Sequence, residues 1–187
     1  MTKIAVFIDG GHFFDGLHAQ GFSTDLFHRR LMAILVDSTE QDIGEVYFYM
    51  ARLPVGPYPN KSLAQQAYFD RLAKEDIVVV PGTTEVRGGI FIERDVEAAL
   101  ATELVKGAWS HRFNEALLVS RRSGFAPAVT AARQAGCTIR TAFFRYNIDP
   151  TDGLAQVAGL SKPIRARDII RCTRSGTIPR GVHALSD

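Results

Sequence analysis

Short apolar runs, rich in β-branched and aromatic residues, alternate along this chain with segments of helical spacing. Each run is too short to form a buried helix, so each predicts a strand. The five runs are residues 3–8, 45–50, 77–80, 115–119 and 138–144. Helical spacing occurs in residues 26–36, 63–72, 96–109 and 125–135. Alternating strands and helices predict an α/β fold, a Rossmann-like parallel sheet with helices on both faces.

One segment breaks this alternation. Residues 85–87 and 90–92 flank Gly88-Gly89, a pattern that favours a two-residue turn between antiparallel strands. We therefore expect three layers, with a parallel sheet of about five strands between two layers of helices and a small β-hairpin off the main sheet.

Length and composition indicate one domain. The chain has 187 residues, 46% of them hydrophobic and 22% charged, which is ordinary for one compact domain with its own core. We expect this domain over residues 1–172 and a basic, flexible tail over residues 173–187. The formal net charge is only +2, and the excess lies at the C-terminal end, where residues 162–187 hold six Lys or Arg and two Asp.

The two cysteines and the N-terminus indicate a cellular compartment. Cys137 and Cys172 belong to no Cys-x-x-Cys or Cys/His cluster, so neither a zinc site nor a disulfide framework is predicted. The first apolar run meets Asp9 too early for a signal peptide, and no run approaches membrane-spanning length. We expect a cytoplasmic protein with reduced cysteines and no membrane partner.

Three polar segments should meet at one edge of the sheet. Parallel α/β sheets bind ligands beyond the carboxyl ends of their strands. Residues 9–12 follow the first predicted strand, residues 120–125 follow the fourth, and a helix starts near Glu97. Asp9 alone also has an ordinary interpretation, because aspartate commonly caps the turn after a strand.

The chain also carries a set of motifs in a fixed order. They are Val6-Phe7-Ile8-Asp9-Gly10-Gly11, the run from Arg94 to Val105, the run from Ala116 to Ser120, and the run from Gly124 to Val129. As a set, these motifs resemble the NYN domain of the PIN-like ribonuclease superfamily. The resemblance covers most of the chain. It implies a PIN-like sheet, an Mg²⁺ or Mn²⁺ cofactor held by acidic residues, and hydrolysis of RNA.

The resemblance implies roles for three acidic residues. Asp9 matches the family's first-strand aspartate, while Glu97 and Glu103 stand where the family has aspartates in its helix. These three are the implied catalytic residues, with Asp9 and Glu97 as metal ligands, because hard cations require oxygen ligands and activate water for phosphodiester hydrolysis. Glu97 and Glu103 lie about 120° apart in helical projection, so both cannot point straight at one ion. Glu93 and Asp95 are interpreted as ordinary acids near the helix start.

The later motif departs from the family pattern. Where the family reads Gly-Asp-Ser-Asp-Phe, this chain reads Arg121-Arg122-Ser123-Gly124-Phe125. A guanidinium would repel a nearby cation, since unit charges about 4 Å apart interact by roughly 4 kcal/mol at an effective dielectric of about 20. Arginine instead suits bidentate phosphate recognition. We predict RNA binding with weak or altered catalysis, the phosphate contacts being His12, Ser120, Arg121, Arg122 and Ser123.

The basic C-terminal segment is a second candidate for RNA contact. It contains Arg165, Arg167, Arg171 and Arg174. Arginines bind phosphate irrespective of base sequence. A solvated tail is an equally good interpretation of the same charges.

Three alternatives stay open. The first is an active metal-dependent ribonuclease that uses Asp9, Glu97 and Glu103, whose cleavage EDTA would abolish. The second is a small-molecule or nucleotide-binding enzyme, although the chain has neither a G-x-G-x-x-G fingerprint nor a P-loop. The third is a non-catalytic assembly module, a homodimer formed through the hairpin at residues 84–92.

Overall fold

The computed structural model describes residues 4–145 and 153–174. Within these ranges strands and helices alternate. The strands are β1 (Ile4–Asp9), β2 (Ile43–Ala51), β3 (Ile77–Arg87), β4 (Ile90–Arg94), β5 (Glu115–Val119), β6 (Thr138–Phe144) and β7 (Leu160–Ile164). The α-helices are α1 (Gly10–Ala19), α2 (His28–Leu35), α3 (Pro59–Ala73), α4 (Val96–Trp109), α5 (Ala126–Gln134), α6 (Gly153–Val157) and α7 (Ala166–Ile170).

The strands form one seven-stranded sheet in the order β4-β3-β2-β1-β5-β6-β7. Neighbouring strands are parallel except β3 and β4, which are antiparallel. The central strand β1 pairs Phe7 with Tyr47 of β2 and with Leu118 of β5. Strands β1, β2, β5, β6 and β7 therefore end at one edge of the sheet, the carboxyl edge.

Helices cover both faces of the sheet. Val6 and Ile8 of β1 belong to one core cluster, together with buried residues of α1, α2, α3 and α7. Phe7, between them, faces the second cluster, which holds buried residues of α4, α5 and α6. Successive side chains of a strand point to opposite faces. This alternation in a strand buried on both sides produces the three layers that the sequence predicts.

The expectation of about five strands is corrected to seven. All five predicted strands are present, but β3 does not stop at Val80: it continues through Pro81 and Gly82 to Arg87. The hairpin is thus an extension of the main sheet rather than a separate ribbon. Pro81 is tolerated because the β4 ladder begins only at Thr83, so Pro81 pairs with β2 alone. The second added strand, β7, lies at the opposite edge, where its Pro163 is equally tolerated.

Helix α1 begins directly after β1, in a segment where the sequence predicted no helix. Asp9 is its N-cap, and the Asp9 Oδ1 accepts a hydrogen bond from the His12 backbone N–H (3.2 Å). A Cβ on Gly10 would lie 2.7 Å from the backbone oxygen of Tyr49. Glycine at this position therefore allows α1 to start close against β2.

Gly16 provides a second close approach, between α1 and β6. A Cβ on Gly16 would lie 2.1 Å from Cγ of the buried Phe144. We expect Gly16→Ala to lower the free energy of unfolding by about 1–3 kcal/mol through overpacking, measured by urea denaturation. Gly56→Ala is the control, since a Cβ there would have no neighbour within 4 Å. Equal stability of the two variants would contradict the close packing.

The described part of the C-terminal segment belongs to the domain. Thr173 forms an isolated β-bridge with Leu26, and the Arg174 guanidinium donates to the Leu26 carbonyl (3.0 Å). The remainder of the expected tail, residues 175–187, lies outside the described residues. Cys137 and Cys172 are both free and buried. Among the helices of the described ranges, none combines the length and apolarity needed to cross a bilayer.

Candidate functional site

Asp9, at the end of β1, is the buried centre of the carboxyl edge. Its side chain is 1% exposed. Its Oδ2 accepts a hydrogen bond from the Ser120 hydroxyl (2.8 Å) and forms an ion pair with Nε of Arg122 (3.2 Å). Because β1 and β5 are adjacent, the residue after β5 lies beside the end of β1. Together with the His12 backbone N–H on Oδ1, these contacts engage both carboxylate oxygens.

Arg122 lies between carboxylates, with 41% of its side chain exposed. Its Nη2 is 3.6 Å from Oε2 of Glu93, and its backbone N–H donates to the Ser120 hydroxyl (3.2 Å). Burial opposes the charge on Arg122, but Asp9, Glu93 and Glu97 together outweigh burial and hold the pKa of Arg122 above its usual value. The site therefore contains a permanent cation supplied by the chain itself.

Glu93 is a member of this site that the sequence analysis missed. It was interpreted as an ordinary acid near a helix start, yet the β3–β4 hairpin carries it back toward the carboxyl edge. Burial raises the pKa of Glu93, and the charge of Asp9 adds to that rise, while Arg122 partly offsets it. The sequence predicted the hairpin turn before Glu93. It could not predict where the second strand of the hairpin ends relative to the rest of the sheet.

Glu97 faces Gly124, a position where the resemblance implies an aspartate. A Cβ on Gly124 would lie 2.9 Å from Oε1 of Glu97. The longer glutamate side chain thus reaches the space that a side chain at position 124 would fill. Glu97 and Gly124, two positions at which the resemblance implies a different residue, are therefore neighbours in space.

Glu103 lies with different partners. Its Oε1 accepts a hydrogen bond from Arg112 (2.6 Å), and Arg112 also pairs with Glu45 (3.1 Å). The guanidinium of Arg112 lies 5.7 Å from the ring centre of Tyr47. The structure therefore brings Asp9, Glu97 and Arg122 together and separates Glu103 from them, consistent with the 120° separation expected on the helix.

The candidate phosphate contacts differ in their positions. His12 is 7% exposed rather than open to the crevice, and its Nε2 accepts the Phe144 backbone N–H (3.2 Å). This hydrogen bond joins α1 to β6. Ser120 is buried on Asp9 and positions that carboxylate. Arg121 is half-buried, whereas Ser123 is exposed in the short 3-10 turn before α5.

The family model described as the NYN domain matches residues 3–156. The chain belongs to the NYN domain family. This match confirms the resemblance to the PIN-like superfamily. No curated protein matches the chain significantly. A crystal structure of a protein of unknown function from Vibrio parahaemolyticus is similar to the chain, with a TM-score of 0.65 and 16% identity over 90% of this chain and 95% of that chain. At this identity the similarity supports the α/β fold alone.

The residues of this NYN domain do not fit a divalent cation as they stand. Such a cation requires several free oxygen ligands. Both oxygens of Asp9 are engaged, and a guanidinium nitrogen lies 3.2 Å from one of them. Across residues 4–145 and 153–174, no group of three or more His, Cys, Asp or Glu side chains has a metal-binding arrangement.

Arginines follow four of the strands that end at the carboxyl edge of the NYN domain. Adjacent strands are about 4.8 Å apart, so this row extends on the order of 20 Å from β2 to β7. Its members are Arg52 after β2, Arg121 and Arg122 after β5, Arg145 after β6, and Arg165 after β7. All except Arg121 are exposed. Short polar segments that are unrelated in sequence thus place arginines along one edge of the sheet, and we call this set the arginine row.

Proposed function

We propose that this NYN domain binds RNA along its carboxyl edge, with catalysis that is weak or altered because Arg122 occupies its acidic cluster. The observation that carries the proposal is the arginine row, which includes an arginine paired with Asp9 at 3.2 Å. Guanidinium groups bind phosphate in a bidentate manner and keep their charge at any physiological pH. A row of them is suited to a strand of phosphates.

Arg122 has a second effect on RNA binding. Asp9, Glu93 and Glu97 all act electrostatically on Arg122, so they would repel an RNA phosphate if that cation were absent. The guanidinium partly neutralises them and presents its exposed part to solvent. We infer that Arg122 makes an acidic edge compatible with an anionic ligand.

An active metal-dependent ribonuclease is the second candidate. It is favoured by the three carboxylates around Arg122, and it requires Arg122 to leave them. Asp9 and Glu97 would then be the ligands, and the metal would supply an activated water. The pairing of Glu103 with Arg112 argues against Glu103 as a third ligand.

The test is fluorescence anisotropy with a labelled single-stranded RNA, in EDTA and in Mn²⁺, with cleavage followed on gels. We expect binding that EDTA does not weaken, and little or no cleavage. The slope of log affinity against log salt concentration should be about −2 to −3, which corresponds to three or four phosphate contacts. Arg145→Ala and Arg165→Ala should each reduce the magnitude of this slope by about 0.7.

Arg133→Ala is the matched control, because this exposed arginine lies in the last turn of α5, outside the arginine row. Its salt slope should equal that of the wild type. Cleavage that requires Mn²⁺ and disappears in Asp9→Asn would support the ribonuclease instead. Absence of any RNA binding at low salt would overturn both candidates.

A further inference from the structure

A cavity of about 450 Å³ lies between α4 and the strands β2 and β3. This volume is in the range of small-molecule sites. Tyr47 and Tyr49 project from β2 to the same face of the sheet as their partners Val78 and Val80 on β3. Side chains of α4 complete the wall, and the polar members of the lining are Tyr47, Tyr49, Asp95, Thr102 and Glu103.

Tyr49 carries an unsatisfied polar group in this lining. The residue is 1% exposed, and its phenolic hydroxyl has no hydrogen-bond partner among the described residues. Buried hydroxyl groups are nearly always hydrogen-bonded, so an exception calls for a partner from outside the described residues. A ligand with a polar edge would supply that partner.

The charges of the lining select the kind of ligand. Asp95 and Glu103 are carboxylates, and among the described residues no lysine or arginine belongs to the lining of this cavity. A phosphate would be repelled here, whereas a neutral group with N–H donors would be accepted. Arg112 donates to Oε1 of Glu103 (2.6 Å) and holds the carboxylate in place. A carboxylate has about four acceptor sites, so it can accept further hydrogen bonds.

The aromatic side chains favour a planar ligand. Tyr47 and Tyr49 both lie nearly parallel to the ring of Phe7, at 20° and 16°, with ring centres 5.5 and 6.4 Å from it. Tyr47 is half-buried and accessible. Aromatic rings of this kind stack on nucleobases, and single-stranded RNA is commonly read by stacking together with hydrogen bonds to base edges.

We propose that this cavity binds a guanine base. Guanine presents two adjacent donors, N1–H and the 2-amino group, to which one carboxylate can bind, and its O6 can accept from the Tyr49 hydroxyl. Adenine and cytosine present an acceptor where guanine presents N1–H. Asp95 lines the cavity and lies between Glu93 and Glu97 in sequence, at the junction of β4 and α4. This junction therefore contributes residues both to the cavity and to the acidic cluster. The binding of guanine itself does not depend on the proposed function. The statement that this guanine belongs to an RNA strand does rest on it.

Free nucleosides test the cavity without the arginine row, because they carry no phosphate. By isothermal titration calorimetry we expect guanosine to bind at least about tenfold more tightly than adenosine, with inosine, which lacks the 2-amino group, between them. Tyr49→Phe and Glu103→Gln should each weaken guanosine binding by about fivefold or more. Glu45→Gln is the matched control, since Glu45 also pairs with Arg112 but does not line the cavity.

Folding of each variant is verified by urea denaturation, and Tyr49→Phe removes only an unsatisfied hydroxyl. Equal affinity for all nucleosides, absence of guanosine binding, or guanosine binding unchanged in both variants would overturn the proposal. If RNA binding persists in these cases, the proposal that RNA binds along the arginine row still stands. Loss of RNA binding with guanosine binding intact contradicts the proposed function alone.

Discussion

Arg122→Ala is expected to turn the acidic cluster into a site that binds Mn²⁺. The substitution removes a guanidinium 3.2 Å from Oδ2 of Asp9 and leaves Asp9, Glu93 and Glu97 without their common cation. A unit charge about 4 Å from a divalent ion costs roughly 8 kcal/mol at an effective dielectric of about 20, so even partial relief should raise Mn²⁺ affinity by about a hundredfold or more. Isothermal titration calorimetry measures this gain.

The neighbouring arginine provides the matched control for this prediction. Arg121→Ala removes the same charge one residue earlier and should leave Mn²⁺ affinity near that of the wild type. RNA affinity in EDTA should fall in Arg122→Ala, because three unneutralised carboxylates then face the phosphates. Mn²⁺ affinity that is equal in the wild type and in both variants would show that Arg122 does not govern the cluster.

Aspartates introduced at positions 122 and 124 test the acidic cluster further. In Arg122→Asp/Gly124→Asp the new side chain at position 124 meets the flexible end of Glu97, which can turn aside. We expect this double variant to bind Mn²⁺ more tightly than Arg122→Ala, since it adds oxygen ligands as well as removing the cation. Weaker binding than in Arg122→Ala would indicate that the cluster cannot accommodate aspartates at positions 122 and 124.

The position of Arg122 was predictable from sequence, but its partners were predictable only in part. Segments that follow parallel strands lie at the carboxyl edge, so Asp9 and Arg122 could be assigned to the same edge. The adjacency of β1 and β5 and the direction of the Arg122 side chain came only from the structure. Glu93 could not, because its position depends on where the β3–β4 hairpin returns. The burial of His12 depends on β6, whose Phe144 is more than a hundred residues away in sequence.

Local propensity explains the main error in the fold. Gly10 and Gly11 are poor helix formers, so the sequence predicted no helix there. The Asp9 cap and the packing of α1 against β2 outweigh that propensity. Strands β1 and β5 were predictable because they contain continuous apolar runs that are buried on both faces. Strands β2 and β6 were predictable because they are rich in β-branched and aromatic residues. Edge strand β7 has Lys162 and Pro163 within five residues and lacks that signal.

A buried polar network with no local sequence signal joins three distant segments of the chain. Glu75 accepts hydrogen bonds from the His28 backbone N–H (2.8 Å) and from Arg174 (2.6 Å), and it lies 3.0 Å from Nδ1 of His28. The other ring nitrogen of His28 is 2.8 Å from the Tyr68 hydroxyl. The carboxylate therefore connects α2, the end of α3 and the C-terminal segment.

Glu75→Ala is expected to lower the free energy of unfolding by about 2–4 kcal/mol, because it removes the Glu75 carboxylate from the backbone N–H and the Nδ1 of the buried His28. The Glu75 side chain is only 12% exposed, so solvent replaces the carboxylate poorly. Thermal denaturation should show a fall in Tm on the order of 5–15 °C. Asp25→Asn is the control, because Asp25 also faces Arg174, at 4.0 Å, but is 44% exposed. Equal losses in the two variants would contradict a special role for Glu75.

The pH dependence of stability follows from the same carboxylate. Burial alone would raise the pKa of Glu75, but the hydrogen bonds and charge of His28, together with Arg174, lower it from 4.5 to about 2. A carboxyl group with a lowered pKa stabilises the folded state fully above its unfolded value, and this contribution disappears as the pH falls through the folded value. The difference in unfolding free energy between the wild type and Glu75→Gln should therefore be constant near neutrality and shrink between pH 4.5 and about 2. A difference that stays constant over that interval would mean that the Glu75 carboxylate is not held ionised by His28 and Arg174.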